Sequence, residues 1–277
     1  MRVRRALALA SGLVWWAMAG AQPAAGQVLP AQPDRYLLTT EASDARALWV
    51  NPAGLARVPE ASIGADLTLD RFFPGGTQLS QYGLSLAGHG IAASWIHERF
   101  PPGQALNAYA VGIGLGDEQF SAGTTRRWFS GAAKGSAFDA AFRVSSADGT
   151  QLSLVARNIG SPRLLDSTYW ATLVPGALVS LLKGTVQVGG EWVVAPHTWR
   201  SIAYRAGGAV ALGRGLALLL RADLSPNFRR RGLVVALSFD ASASRAGAFA
   251  LASGAASEVD AVGLSGALVT RGEPPRH

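Results

Sequence analysis

The segment "ASIGADLTLD" (Ala61–Asp70) alternates without a break. Ile63, Ala65, Leu67 and Leu69 fall on one side of an extended chain, and Ser62, Gly64, Asp66, Thr68 and Asp70 on the other. A period of two is the signature of a β-strand with unlike faces. The pattern recurs. In "AFDAAFRVSS" (137–146), Phe138, Ala140, Phe142 and Val144 oppose Asp139, Ala141, Arg143 and Ser145. In "TVQVGGEWVV" (185–194), Val186, Val188, Trp192 and Val194 oppose Gln187, Gly189 and Glu191. In "GLALLLRADL" (215–224), Leu216, Leu218, Leu220, Ala222 and Leu224 oppose Arg221 and Asp223. One face accepts hydrocarbon and the other carries charge.

A half-buried soluble sheet and a membrane barrel both alternate in this way. Three features favour the barrel. The strands run about 10 residues, as a tilted bilayer crossing requires, against 5–6 in common soluble strands. Aromatic residues sit near strand ends, where an interfacial girdle belongs: Phe72, Phe73, Phe100, Trp128, Phe129, Tyr169, Trp170, Trp199 and Phe228. The polar face is rich in Gly, Ser and charges of both signs, which suits a narrow lumen. A soluble periplasmic β-sheet protein is the alternative.

Turn-forming residues give the strand count. Clusters of Gly, Pro, Asn, Asp and Ser interrupt the chain near Phe73–Gly76, Gly88, Pro101–Gly103, Gly116-Asp117, Gly131, Asp148-Gly149 and Ser161-Pro162. Others fall near Gly184, Pro196, Gly213–Gly215, Pro226-Asn227, Ser242–Arg245 and Gly254–Ser257. Thirteen breaks divide the chain into about 14 strands, and bacterial single-chain barrels have even numbers. Pro175 interrupts one of these strands and is tolerable at a bulge. The expected fold is all-β, a transmembrane antiparallel β-barrel of about 14 strands.

Composition agrees. Apolar residues make up 49% of the chain, charged residues only 16%, and there are 33 glycines. Beyond the first two dozen residues no apolar run approaches the roughly 18 that a membrane helix needs. The first residues are different. "MRVRR", the apolar "ALALASGLVWWAMAG" and the Ala19-Gly20-Ala21 site before Gln22 together predict a signal peptide over 1–21. Removing Arg2, Arg4 and Arg5 lowers the formal charge from +7 to 7 − 3 = +4. The absence of cysteine excludes a lipid-anchored cysteine, a disulfide framework and thiolate metal sites. Arg126-Arg127 and Arg229–Arg231 read as solvated loop ends or, at an outer membrane, as contacts to anionic headgroups, and no basic face with interleaved aromatics suggests nucleic acid.

Residues 27–59 do not fit the strand pattern. "ASDARALW" can form about two helical turns, with Ser43 or Asp44 as N-cap. Pro52 ends that helix at Asn51, and "NPAG" then makes a turn. Leu48, Trp49, Val50 and Leu55 need burial, and a hollow barrel offers it. The chain therefore divides into a signal peptide (1–21), a plug segment (22–59, with residues near 36–58 in the lumen), a barrel (60–271) and a tail (272–277).

The stretch "DARALWVNPAGLARV" (44–58) resembles the N-terminal signature of FadL-type outer-membrane transporters and the related PorV-like proteins of secretion systems. "LSLVARNIGSP" (Leu152–Pro162) and "VQVGGEWVV…SIAYRAGGAVAL" are similar to later PorV-like strands, with Trp192 and Gly208 standing where that pattern has Tyr. The resemblance implies a 14-stranded barrel with an N-terminal plug built on Trp49, Asn51, Pro52, Gly54 and Leu55. It implies two roles: a plugged channel passing or binding hydrophobic small molecules, or a docking and shuttle component for exported proteins. The first expects an apolar pocket between plug and wall. It also expects a lateral gap, for which Pro175 or Gly189-Gly190 are candidates.

Enzymatic chemistry is not indicated. His89, His97, His197 and His277 are the only histidines, and Ser94 faces away from His97. No zinc-protease, phosphate-loop or calcium-loop motif occurs, so no catalytic, cofactor or metal residues are assigned. The functional candidates are the inward charges Asp66, Asp70, Glu98, Asp139, Arg143, Arg157, Glu191, Arg205, Arg221 and Asp223. They either pair across a small lumen and hold the plug, or line a path. The expected partners are outer-membrane lipid and a hydrophobic small molecule or exported proteins, with no nucleic acid.

Overall fold

The computed structural model describes residues 38–40, 42–58, 61–70, 76–100, 103–164, 167–213, 215–241, 244–253 and 261–270. The expected signal peptide, the first part of the plug segment, Phe72, Phe73 and the tail lie outside them.

Fourteen antiparallel strands close into one barrel: β1 (Ala61–Asp70), β2 (Gln78–Gly88), β3 (Ile91–Phe100), β4 (Gln104–Gly116), β5 (Phe120–Gly131), β6 (Ser136–Ser145) and β7 (Gln151–Ile159) form the first half. The second half comprises β8 (Thr172–Leu181), β9 (Val186–Ala195), β10 (Arg200–Gly213), β11 (Leu216–Leu224), β12 (Arg230–Ala241), β13 (Ser244–Ser253) and β14 (Ala261–Thr270). Each strand pairs with its neighbour in sequence, and β14 closes on β1 from Ala61↔Thr270 to Asp70↔Ala261. Closure removes the exposed edge that an open sheet would present. The connections at one end (89–90, 117–119, 146–150, 182–185, 214–215, 242–243) never exceed five residues, while 160–171 at the other end has twelve.

Burial is inverted relative to a soluble protein. On β1 the odd residues Ile63, Leu67 and Leu69 are exposed on the outside, while Ser62, Asp66 and Thr68 are buried within. The outer surface continues with Leu84, Leu86, Ile113, Phe142, Leu154, Val188, Leu237 and Leu264. So wide an exposed apolar band is stable only against hydrocarbon, which excludes the soluble sheet. Rings gather at the long-loop end of this band: Tyr82 meets Trp95 edge to face at 5.5 Å and lies 4.9 Å from His97. Tyr204 stacks on Phe228 at 4.8 Å. Leu67→Arg should cost about 2–4 kcal/mol at mid-membrane depth. We expect loss of the folded, SDS-resistant band, whereas the same change at exposed Trp199, in a loop, should leave it.

Three sequence expectations change. Phe129 turns inward and is buried, so it belongs to the lumen and not to the girdle. Arg126-Arg127 is not a solvated loop end: both lie in β5, Arg127 buried in the lumen and Arg126 outside over the Trp128 and Phe138 rings at 5.2 and 5.3 Å. Alternation from Ser121 through Gly123 and Thr125 already put Arg127 on the inner face. Val194 is buried because the β9–β10 register shifts between Val193 and Val194. Opposite that shift, Pro175 pairs with Leu154 of β7, but the β8–β9 ladder skips from Leu173↔Val194 to Gly176↔Glu191. Proline has no N–H to donate, so the interruption falls where it costs least.

Candidate functional site

The lumen holds residues 38–40 and 42–58. The expected two-turn helix is a single turn, α1 (Ala47–Val50), with no side-chain cap. The Asp44 carboxylate accepts from Arg46, through the backbone N–H and Nε at 2.9 Å. The "NPAG" turn is a 3₁₀-helix over Pro52–Arg57. Asn51 makes the junction. Its Oδ1 accepts from Ala53 N at 3.1 Å, capping the second helix, while Pro52 needs no hydrogen bond at the first helical position. Its Nδ2 donates to Thr39 O at 2.8 Å and so clips the start of the segment to its middle.

Packing shows why "NPAGL" is spelled as it is. Leu48, Trp49, Val50 and Leu55 are fully enclosed among Ala87, Ala92, Ile96, Leu106, Ala108 and Ala110 of the wall. Each such burial is worth roughly 1.5–3 kcal/mol against exposure to water. Gly54 touches the returning chain: a Cβ there would stand 2.1 Å from Ala42 O. The wall supplies matching notches. A Cβ at Gly112 would meet Leu48 Cδ1 at 2.5 Å, at Gly114 Ala56 N at 2.5 Å, and at Gly123 Pro52 O at 2.3 Å. "GIGLG" of β4 and "SAG" of β5 thus form a backbone-lined seat. The alternation gave their inward direction; the reason for glycine there is visible only with the plug in place.

Polar contacts lock the seat. Trp49 Nε1 donates to Ser94 Oγ at 2.8 Å, and Ser94 lies 2.7 Å from Ser85 Oγ. Thr125 Oγ1 donates to Leu48 O at 3.0 Å, Arg157 Nη2 to Val50 O at 2.6 Å, and Arg143 Nη1 to Ala42 O at 3.3 Å. Thr39 N donates to the Glu191 carboxylate, and its hydroxyl lies 3.2 Å from Ser153 Oγ. His97 faces outward and bonds Asn107 at 2.9 Å, away from Ser94.

The inward charges divide into groups. Glu191, Arg205 and Asp223 stand side by side on β9, β10 and β11 in register. Arg205 lies 3.3 Å from Glu191 and 3.9 Å from Asp223, and Arg221 lies 3.1 Å from Asp223. Asp139 accepts from Arg127 at 2.5 Å and from Asn158 N at 2.9 Å, and Arg127 also reaches Asn158 Oδ1 at 2.9 Å. The candidate set lacked Arg127 and Asn158. Asp66 and Glu98 are buried on β1 and β3, with Asp70 half-buried at the end of β1. Arg143 and Arg157 point at the plug. No group of three metal-ligating side chains occurs among the described residues.

Between Leu38 and the wall lies an apolar recess lined by Leu178, Gly207, Ala209 and Leu219, of about 10 Å³. That is room for about one water molecule. At the long-loop end, Ala133–Lys134, Arg163–Leu164 and Ser167–Thr168 make a small separate sheet. Ala133, with Tyr169 and Phe100, packs on the apolar cluster from above.

Among solved structures, the chain is similar to the TodX deltaS2S3 mutant monoaromatic hydrocarbon channel, with a TM-score of 0.57 at 10% identity over 84% of this chain and 97% of that one. This chain has the fold of an outer-membrane β-barrel. A Pseudomonas aeruginosa FadL homologue matches with a TM-score of 0.49 at 9% identity over 91% and 99% of the two chains, and a KdgM porin with 0.42 at 10% over 76% and 99%. No protein-family model and no curated protein sequence matches.

Proposed function

We propose that this protein is a channel of the bacterial outer membrane, exported by the signal peptide at residues 1–21, in which Leu38–Val58 is a displaceable plug and the cargo is a hydrophobic small molecule. The observation that carries this reading is the seat itself. Among its described residues, this short segment sits in the lumen through apolar contact on glycine notches and side-chain hydrogen bonds, with no strand pairing to the wall. Such an insert can leave without unzipping the barrel. The similarity to a monoaromatic hydrocarbon channel supports a hydrophobic cargo. The skipped ladder at Val174-Pro175, three residues along β8 from Leu178 of the recess, is where a lateral exit toward lipid would open. Under this reading the short turns face the periplasm and the longer connections the outside. The docking alternative calls for long ordered projections, and in the connection 160–171 Tyr169 packs on the apolar cluster of the lumen.

Trp49→Ala tests the plug. The change removes a buried ring of the kind whose loss costs about 3–5 kcal/mol, together with its bond to Ser94. In liposomes we expect faster entry of toluene and more frequent conductance steps than with the unaltered chain. Equal rates for both would reject the plug as a gate.

A further inference from the structure

At the short-turn end, three neighbouring polar side chains carry buried donors without a hydrogen-bond partner. Arg143 is 1% exposed, and only its Nη1 is engaged, by Ala42 O. Its Nε and Nη2 are buried without a hydrogen-bond partner. Those two nitrogens form one edge of the guanidinium, the edge that grips a carboxylate or phosphate through two parallel hydrogen bonds. Ser121 stands directly across the β5–β6 ladder from Arg143, is also 1% exposed, and its hydroxyl is likewise unpartnered. Arg57, at the end of the 3₁₀-helix, binds Ser145 Oγ at 2.6 Å and the carbonyl of Glu118 through Nη2, leaving its own buried Nε without a partner. Ser145 is two residues from Arg143 on the same face of β6.

Among the described residues no carboxylate makes an ion pair with Arg143, and Asp117 attracts Arg57 only from the turn at the end of the barrel. The charge that acts on Arg143 is Arg57, another cation. Asp139, on the same face of β6, is bound to Arg127 and Asn158. Asp117, in the turn near Arg57, accepts from Gln119 N and Phe120 N at 2.8 Å. Glu191 is held by Thr39 and Arg205. A buried unpaired cation beside a second one is costly, and a bound anion is the economical remedy.

We infer that Arg143, Ser121 and Arg57 form a binding site for a small oxyanion, a free carboxylate or phosphate, that ties the wall to the plug. The site faces the lumen, so lipid headgroups on the outer surface do not reach it. The anion takes the free edge of Arg143 while the opposite nitrogen keeps Ala42, and Arg57 closes over it from the plug. Occupancy therefore strengthens the plugged state, whatever the cargo.

The test is thermal unfolding of the full barrel in neutral detergent, titrated with inorganic phosphate or acetate against chloride at constant ionic strength. A saturable rise in Tm specific to an oxyanion is expected for the unaltered chain, since a ligand that binds only the folded state stabilises it. Which of the two saturates at lower concentration identifies the preferred class. Arg143→Met should abolish the rise while raising the Tm in chloride, because the uncompensated charge is gone. Arg143→Lys keeps the charge but loses the two-pronged edge, so its midpoint concentration should increase about tenfold. An unaltered chain that responds to oxyanions no more than to chloride overturns the site. So does a response that persists in Arg143→Met, or an unchanged midpoint in Arg143→Lys.

Discussion

Gly123→Val is expected to turn the protein into a leaky pore while leaving its barrel intact. At this position a single added carbon would lie 2.3 Å from Pro52 O, 2.4 Å from Pro52 C and 2.7 Å from Ala53 N. All three are backbone atoms of the plug, so no side-chain rotation relieves the overlap. The wall is equally fixed on its side, with Gly123 paired to Gly114 and Ala141 within a continuous ladder. Valine itself suits a strand, so the cost falls on the plug alone. An overlap penalty of about 3 kcal/mol multiplies the unplugged fraction roughly 100-fold. Single-channel recordings should show conductance events far more often, and the unboiled protein should still migrate as a folded band. Gly114→Val acts from the facing strand through Ala56 N, Leu55 Cβ and Pro52 O and should behave alike. Unaltered conductance in both variants, with the barrel folded, would mean that the seat does not hold the plug shut.

The second large effect concerns Asp139. Its carboxylate is the described partner of the buried Arg127 guanidinium and also accepts Asn158 N. Asp139→Leu leaves a cation enclosed in the lumen wall without its counter-charge, at a cost of about 3–5 kcal/mol. The temperature at which the SDS-resistant band converts to the unfolded one should fall by roughly 10 °C. Pairing this change with Arg127→Met removes the stranded charge and should recover most of the loss. If the double variant is no more stable than Asp139→Leu alone, the pair is not coupled and the carboxylate acts through Asn158 instead.

Much of the architecture follows from local sequence. In Ile63-Gly64-Ala65-Asp66-Leu67, an apolar residue at every second place marks the strand and separates its apolar face from its polar one, because side chains of a regular strand alternate. The thirteen clusters of turn residues cut the chain into the fourteen strands the barrel contains, because closing a barrel needs a turn at each end of every crossing. Asn51-Pro52 likewise announces that a helix must stop there, a constraint carried by the proline ring alone.

Other features depended on contacts between distant residues. Arg143 and Arg127 look alike in the alternation, both inward and both next to an apolar neighbour. Only the register across β5, β6 and β7 gives Arg127 its carboxylate and leaves Arg143 with a plug carbonyl. Val194 changed sides because a register shift lies between it and Val193, and the partner strand sets such a shift. "GIGLG" reads as an ordinary glycine-rich strand until Pro52 and Leu55 arrive against it from some sixty residues away. The alternating pattern is a property of one strand in its solvent and can be read one strand at a time. A seat, an ion pair or a bulge is a relation between backbones whose distance is fixed only when the sheet has closed.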